Sequence, residues 1–197
     1  MKSRLETIYY ATDDVKIEYY VEPDGIKIKS VECNLPYSSI VLPVSINGVN
    51  VVTLLMGFAE KLCAEGLYLP PYLNEIEEFA FQNSCIKRLI IVSELRTVSV
   101  TSFNNMPFLE KIVLPPNQML MPCKAVFRGC RKLKEIEFTS PEIVIDRRNT
   151  KGILSGRVDN FIFNARQCYS AYIGKYIEDE ILEHFKFGFD TEIIHEK

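Results

Sequence analysis

The chain has 197 residues, of which 47% are hydrophobic and 25% charged, so it can bury a single core without help from disulfides or metal ions. Its 23 basic and 26 acidic side chains are mixed along the chain and give a formal charge of −3. This mixture excludes the broad basic field to which nucleic acid or an anionic membrane surface would bind. We therefore expect one domain and no nucleic-acid partner.

The amino-terminal residues and the cysteines bear on cellular location. Residues 1–14 lack the continuous apolar stretch of a secretory signal peptide, which predicts a cytoplasmic protein for the chain as given. A chain from which an export signal had been removed would instead be expected at the cell surface or outside the cell. The six cysteines are widely spaced and fit no zinc motif. We expect reduced, mostly buried thiols and neither a metal ion nor a cofactor.

Residues 15–29, VKIEYYVEPDGIKIK, alternate between apolar and polar side chains. Asp24 and Gly25 supply the residue types that tight turns require. The segment therefore predicts a β-hairpin, placed where it covers one end of the fold.

The stretch over residues 35–59 contains no charged residue and is long enough in principle to cross a bilayer. Prolines, serines and asparagines within it, among them Pro36 and Pro43, break any helix and add polar groups that lipid would leave unsatisfied. We therefore predict no membrane span.

Six short strand-like triplets recur along the chain, each with apolar first and third residues. Their first residues are Ile40, Leu67, Leu89, Ile112, Ile136 and Phe161, which lie 27, 22, 23, 24 and 25 positions apart. A period this regular is typical of a solenoid, in which each coil contacts only its neighbours. Proline directly follows three of the triplets and ends the strand, because it lacks an amide donor.

A small residue followed by phenylalanine lies between the triplets at residues 80–81 and 102–103, with residues 126–127 as a bulkier version. Apolar residues three apart follow this phenylalanine in two repeats: Phe103, Met106, Leu109 and Ile112, then Phe127, Cys130, Leu133 and Ile136. Such spacing is typical of a short helical or 3₁₀ turn with one face inward. We therefore predict helical turns opposite the strands.

Apolar residues recur every four positions near the carboxyl end, with charged residues between them. They are Tyr169, Ile173, Ile177, Ile181 and Phe185. This spacing predicts an amphipathic helix, which could close the last coil or bind a partner or a second copy of the chain.

The repeat reads Leu-x-Leu-Pro, then Leu-x-x-Ile-x-x-x-Ala-Phe, then x-x-Cys-x-x-Leu-x-x-Ile, and residues 67–81, LYLPPYLNEIEEFAF, are the best local example. This pattern resembles the BspA-like class of leucine-rich repeats from about Tyr19 to Phe163. Residues 58–59 reverse the Ala-Phe order, and the pattern decays after Ser140. The resemblance implies a role in adhesion and protein contact, often at cell surfaces.

The repeats and the resemblance together predict an α/β fold. It is a right-handed leucine-rich-repeat solenoid of about five coils, with short parallel strands on one face and short helical turns on the other. Residues 1–37 form an amino-terminal cap with the hairpin, residues 38–164 the repeats, and residues 165–197 a helical cap or tail.

Strand alternation predicts which side chains the strand face presents. If the first and third residues of each triplet are buried, the middle residue and the one before the triplet face solvent. The middle row reads Val41, Tyr68, Ile90, Val113, Glu137 and Ile162. The preceding row reads Ser39, Gly66, Arg88, Lys111, Glu135 and Asn160.

Five of the six middle-row residues are apolar, whereas a solvated sheet normally alternates to polar side chains there. An exposed strip on the order of a few hundred Å² is in the range of interaction sites. The predicted partner-binding residues are Val41, Tyr68, Arg88, Ile90, Lys111, Val113, Glu135, Glu137 and Ile162. Two other interpretations stay open: β-branched residues favour strands on either face, and the carboxy-terminal tail could cover the strip.

Few residues are available for catalysis. The histidines, His184 and His195, both lie in the last 14 residues, and His184 stands beside Glu180 and Glu183 without a metal-binding spacing. Cys130 occupies a repeat position that should point into the core, where a thiol is inert. The charged residues 146–148 are typical of a solvated loop.

The sequence therefore predicts a non-enzymatic module whose strand face binds a protein or peptide. The alternative is a self-associating structural or adhesin-type repeat protein, with a homodimer formed through the apolar strip or a terminal coil. The third interpretation is an enzyme that uses His184, which would need a second polar group in a pocket beside that residue.

Overall fold

A computed structural model describes residues 3–10, 14–35, 38–99, 101–115, 127–139, 141–145, 162–177 and 179–196. The predicted loop cluster at 146–148, together with Val126, Asn160 and Phe161, lies outside these residues.

The regular structure of the described ranges consists of short strands and one four-residue helix, α1 (Asp179–Leu182). The strands of the first half are β1 (Leu5–Tyr10), β2 (Val15–Glu22), β3 (Gly25–Cys33), β4 (Ser39–Val41), β5 (Ser45–Ile46), β6 (Val49–Leu54), β7 (Cys63–Tyr68), β8 (Glu75–Ile76), β9 (Cys85–Ile90) and β10 (Thr97–Val98). Those of the second half are β11 (Lys111–Leu114), β12 (Glu135–Phe138), β13 (Glu142–Ile145), β14 (Ile162–Ala165), β15 (Ser170–Ile173), β16 (Phe185–Phe187) and β17 (Glu192–His195).

The strands wind into a β-solenoid of about six turns. Successive turns contribute strands to a seven-stranded parallel sheet in the order β16-β14-β12-β11-β9-β7-β4, which we call the face sheet. The other strands form two further sheets: the second sheet, in the order β1-β2-β3-β6-β8-β10 and joined by β5, and the third sheet, which is parallel and has the order β13-β15-β17. The predicted α/β class and the count of about five coils are therefore wrong, whereas the solenoid is confirmed.

The helical turns predicted opposite the face sheet are β-turns. Residues 78–83 show the reason, since alternate amides along this turn have partners in different coils. The amides of Ala80 and Gln82 donate to carbonyls within the turn. Those of Phe81 and Asn83 donate to carbonyls of the next coil, both at 3.0 Å. Beyond its first turn, a helix requires consecutive amides to donate within their own segment, so bonding of alternate amides to the next coil prevents one from forming.

The phenylalanines that follow the small residues form an aromatic ladder through the core. Rings of adjacent coils contact each other: Phe58 and Phe81 have centroids 5.5 Å apart, Phe81 and Phe103 5.4 Å, and Phe103 and Phe127 5.8 Å. The first three rings have at most 1% exposure. A second ladder under the face sheet brings Phe138 to 6.1 Å from Phe163, and Phe163 to 4.5 Å from Phe185. Both ladders bind successive coils together.

The predicted hairpin is formed by β2 and β3, with residues 23–24 as its turn. Gly25 begins β3 with φ of +142°, and an added Cβ there would lie 2.7 Å from the methyl groups of Val52, so only glycine fits. The inner residues of the hairpin are buried, and β3 pairs in parallel with β6, so the hairpin continues the second sheet beyond the first coil. The sequence did not predict β1, which pairs antiparallel with β2.

The helix predicted near the carboxyl end is wrong, because the described residues between 170 and 195 hold three strands and only the one-turn helix α1. An interval of four residues is also two periods of a strand, so the apolar spacing fitted both structures. Alternation within β15 buries Ala171 and Ile173, and Phe185 and Phe187 belong to β16. These strands extend the face sheet and the third sheet by further coils.

Within the described ranges, no helix combines the length and the apolarity needed to cross a bilayer.

The first aromatic ladder generates a stability prediction. Phe81→Ala should lower the free energy of unfolding by roughly 3–5 kcal/mol, because it removes a fully buried ring that contacts rings in both neighbouring coils. Urea denaturation followed by tyrosine fluorescence would measure the loss. Phe189→Ala is the matched control, since Phe189 is fully exposed and its replacement should leave the stability unchanged. Equal stability losses in the two variants would contradict the ladder.

Candidate binding face

The register of the face sheet sets the outward side chains in two rows. Val41 lies opposite Tyr68, Tyr68 opposite Ile90, and Ile90 opposite Val113, so these four residues form one line across adjacent coils, the apolar row. The same register continues the line through Glu137, Asn164 and Lys186. Two residues earlier in each strand, Arg88, Lys111 and Glu135 form a parallel line, the charged row.

Ile162 is not in the position predicted for it. Its register partner is Glu135, which places it in the line of the charged row, and Asn164 takes the position beside Glu137. The triplet at the start of β14 therefore begins at Phe163 rather than Phe161, because Phe163 is the buried residue that lies opposite Ile136. As a result, apolar side chains occupy only the amino-terminal part of the predicted strip.

An open groove of about 490 Å³ lies on the face sheet. Its lining consists of Tyr68, Arg88, Ile90, Glu110, Lys111, Val113, Lys134, Glu135 and Glu137. Seven of the nine predicted partner-binding residues are in this list, whereas Val41 and Ile162 are not. Tyr68 is 41% exposed, and Ile90 and Val113 form a half-buried floor.

Sequence reasoning missed Glu110 and Lys134. Each directly precedes its strand, β11 or β12, so strand alternation does not govern where its side chain points. Two regularities in the sequence could have revealed them. Both stand two residues before a triplet, and they continue an alternating line of charges that starts with Glu65 and Lys87.

Lys111 is the centre of an ion-pair network in the groove. Its Nζ lies 3.3 Å from Oε1 of Glu135 and also pairs with Oε2 of Glu137. Asn164 Nδ2 donates to Glu135 Oε1 at 2.6 Å, and Gln167 Nε2 donates to Glu137 Oε1 at 3.2 Å. Both carboxylates are therefore held in place from two sides.

The pKa values in this network follow from these contacts. The pKa of Glu135 is lowered, chiefly by the hydrogen bond from Asn164 and also by the charge of Lys111. Burial acts to lower the pKa of Lys111, but hydrogen bonds and charges from Glu137 and Glu135 outweigh it and hold the pKa above its usual value. Glu135 is therefore ionised and Lys111 protonated at neutral pH.

Arg88 differs from its neighbour Lys111, because it has no hydrogen-bond or ion-pair partner among the described side chains. Glu65, the acidic residue of the adjacent coil, is bonded instead to Lys87 at 2.8 Å. That hydrogen bond is the main cause of the lowered pKa of Glu65, and the charge of Arg88 adds a smaller part. The register partner of Arg88 on β7 is Gly66, which has no side chain to contact the guanidinium.

The residues considered for catalysis include His184 and Cys130. His184 is half-buried just before β16, and its backbone carbonyl accepts a hydrogen bond from the Phe163 amide at 2.8 Å. Among the residues that the structure describes, no group of three or more His, Cys, Asp or Glu side chains could hold a metal ion. The described cysteines are free, but only Cys168 is buried, so the prediction of mostly buried thiols is wrong.

Cys130 occupies the core position predicted for it, half-buried against the first aromatic ladder. Its thiol donates to the carbonyl oxygen of Phe103 at 3.1 Å, and burial raises its pKa to about 11. A thiol with this pKa is protonated at neutral pH and is a poor nucleophile.

The Glu135 contacts generate a pH prediction. Asn164→Ala should raise the Glu135 pKa toward its ordinary value and destabilise the protein at neutral pH, because the bond favours the ionised carboxyl. A lowered carboxyl pKa stabilises the fold above the unfolded-state pKa of about 4.3 and ceases to do so as pH falls through the folded value. The stability gap between variant and wild type should therefore shrink below pH 4.

Carboxyl NMR titration would measure the shift, with Glu65 as the internal control, since its pKa depends on Lys87 and should not change. An unchanged Glu135 pKa in the variant would refute the assigned cause.

The raised pKa of Cys130 generates a reactivity prediction. At pH 8, iodoacetamide should alkylate Cys130 at least about tenfold more slowly than Cys33 in the folded protein, because so little thiolate is present. Peptide mass spectrometry after timed quenching would measure both rates. In urea the two rates should converge, and equal rates in the folded state would show that Cys130 is accessible and ionisable.

Comparison with known proteins agrees with this geometry. The model of the BspA type leucine-rich repeat region matches residues 56–150 in six copies. Neither the curated proteins nor the solved structures gave a significant match. The matched segment contains the groove strands β7, β9, β11 and β12, and the resemblance identified in the sequence is confirmed. Residues 56–150 of this chain, just under half of its length, are therefore similar to the BspA type leucine-rich repeat region.

Proposed function

We propose that the chain is a non-enzymatic binding module that holds a protein or peptide partner on its face sheet. The observation that carries the proposal is the groove itself, in which Tyr68, Ile90 and Val113 lie beside the charged row. Apolar side chains supply contact energy when water leaves them, and fixed charges at their side select the orientation of the partner.

The solenoid suits this role because it presents the groove on a rigid surface. Each groove strand is hydrogen-bonded to a strand on both sides, and the aromatic ladders fix the coils beneath. Little conformational entropy is then lost on the side of this protein when a partner binds. Leucine-rich repeat proteins are often protein-interaction modules, and the BspA-like family is typically non-enzymatic, which supports the same proposal.

The size of the groove favours a segment of a protein over a small metabolite. It is open to solvent and crosses the strands β7, β9, β11 and β12, so a ligand can contact four coils at once. Adjacent strands lie about 4.8 Å apart, which gives the floor a length of about 14 Å, enough for four residues of an extended peptide. Small-molecule sites enclose most of their ligand, and this groove does not.

Selection from a random 12-residue peptide library, displayed on phage, tests this proposal. The wild-type chain should enrich peptides, and the double variant Tyr68→Asp with Ile90→Asp should lose their binding by more than about tenfold, because carboxylates would replace the apolar contact. Fluorescence anisotropy with the enriched peptides would measure the loss.

The matched control is Tyr172→Asp with Val144→Asp. Tyr172 is 39% exposed, nearly the same as Tyr68, and Val144 lies opposite it in the third sheet. This control should bind the peptides as the wild type does. Two results would contradict the proposal: no enrichment by a folded wild type, or a wild-type dimer in light scattering that the Tyr68 and Ile90 changes convert to a folded monomer. The second result would assign the face to self-association.

A further inference from the structure

The groove has two ends of opposite charge, and this pattern specifies the chemistry of a partner. Toward β7, Arg88 carries a positive charge that forms no ion pair or hydrogen bond with a described side chain. Toward β12, Lys111 shares one positive charge between the carboxylates of Glu135 and Glu137, which leaves one negative charge in excess. The remaining charged lining residues, Glu110 and Lys134, cancel each other formally and are adjacent, since the Lys134 amide donates to the Glu110 carbonyl at 2.9 Å.

We propose that the groove selects an extended peptide segment in which one acidic and one basic side chain, about three residues apart, flank apolar residues. This inference rests on the proposed function and names the class of partner for the same site. The acidic side chain pairs with Arg88, the apolar residues contact Ile90 and Val113, and the basic side chain approaches the Glu135 and Glu137 carboxylates.

The spacing follows from the geometry of the sheet. Arg88 is on β9 and Glu137 is on β12, two strands away in the face sheet. Two strand spacings amount to about 10 Å, and an extended chain rises about 3.3 Å for each residue. A peptide that crosses the strands therefore covers this distance in about three residues.

The Arg88 side chain is exposed on the face sheet and accessible to a partner. Its register partner on β7 is Gly66, which has no side chain that could contact the guanidinium. The absence of a side chain thus leaves one side of the guanidinium uncovered. A carboxylate that enters this space can accept two parallel hydrogen bonds from the guanidinium, the strongest arrangement for such a pair.

The opposite charge pattern is disfavoured on the same grounds. A basic side chain at Arg88 would meet an unpaired like charge, and an acidic side chain at Glu137 would meet a cluster that already has an excess carboxylate. An uncharged apolar peptide would contact Ile90 and Val113 but would take water from Arg88 without replacing its hydrogen bonds. The groove therefore distinguishes partners by charge order as well as by apolar content.

Peptides enriched by the wild-type chain test the inference. We expect the enriched sequences to share an acidic and a basic residue about three positions apart around apolar residues. Arg88→Gln should weaken such a peptide by about tenfold, as expected for loss of a charge-assisted hydrogen bond, and Arg88→Lys should restore part of the affinity. For a peptide whose acid has been changed to its amide, Arg88→Gln should have no effect.

Lys186→Gln is the control for charge alone, because Lys186 is an exposed lysine on β16 of the same sheet, outside the groove. It should leave peptide affinity unchanged. Peptides that depend on Tyr68 and Ile90 but lack the charge pattern, or that bind Arg88→Gln equally well, would overturn this inference and leave the proposed function standing. Failure of a folded wild type to enrich any peptide would overturn both.

Discussion

Hydrogen bonds between coils are the constraint on which the rest of this structure depends. A parallel strand cannot satisfy its own amides and carbonyls, so each face-sheet strand requires a neighbour at the same register one coil away. The same requirement extends into the turns, where Phe81 and Asn83 donate to the next coil and prevent a helix. Side chains at equivalent positions must therefore stack, which explains why buried phenylalanines recur as ladders and outward residues form rows across the sheet.

The sequence predicted the solenoid because a solenoid is recognised by a regular repeat length. That repeat length can be read from the sequence even where the local secondary structure is mispredicted. Triplets such as Leu67–Leu69 and Leu89–Ile91 predict a strand in each coil, whatever conformation the turns between them adopt. The turns were mispredicted because Phe103, Met106 and Leu109 are spaced equally well for a one-turn helix and for successive β-turns. Only the acceptor of each amide hydrogen bond distinguishes a helix from successive β-turns, and that acceptor belongs to a residue more than 20 positions away.

The same limit applies to the binding face. Seven groove residues followed from strand alternation alone, since β7, β9, β11 and β12 keep a constant register. Ile162 was misplaced by two residues because both Phe161 and Phe163 satisfy an apolar triplet, and only the pairing of Phe163 with Ile136 decides between them. The ion pairs of Lys111 could not be predicted from spacing, because they depend on which side-chain conformations the neighbouring coils permit.

In a solenoid, the outward side chains can change from apolar to charged between one coil and the next without any change in the core. The outward line runs from Val41 and Tyr68, through Ile90 and Val113, to Glu137, whereas the inward residues beneath it remain apolar throughout. Outward residues do not contribute to the ladders, so substitutions of those that have no side-chain partner leave stability almost unchanged and can adapt the face to a binding partner. Arg88 fits this account: it is an exposed charge that no described side chain pairs with, in a sheet where Lys87 and Lys111 are both paired. A guanidinium that forms no ion pair contributes little to the stability of the fold. Its charge and its hydrogen-bond donors are therefore available to bind a partner.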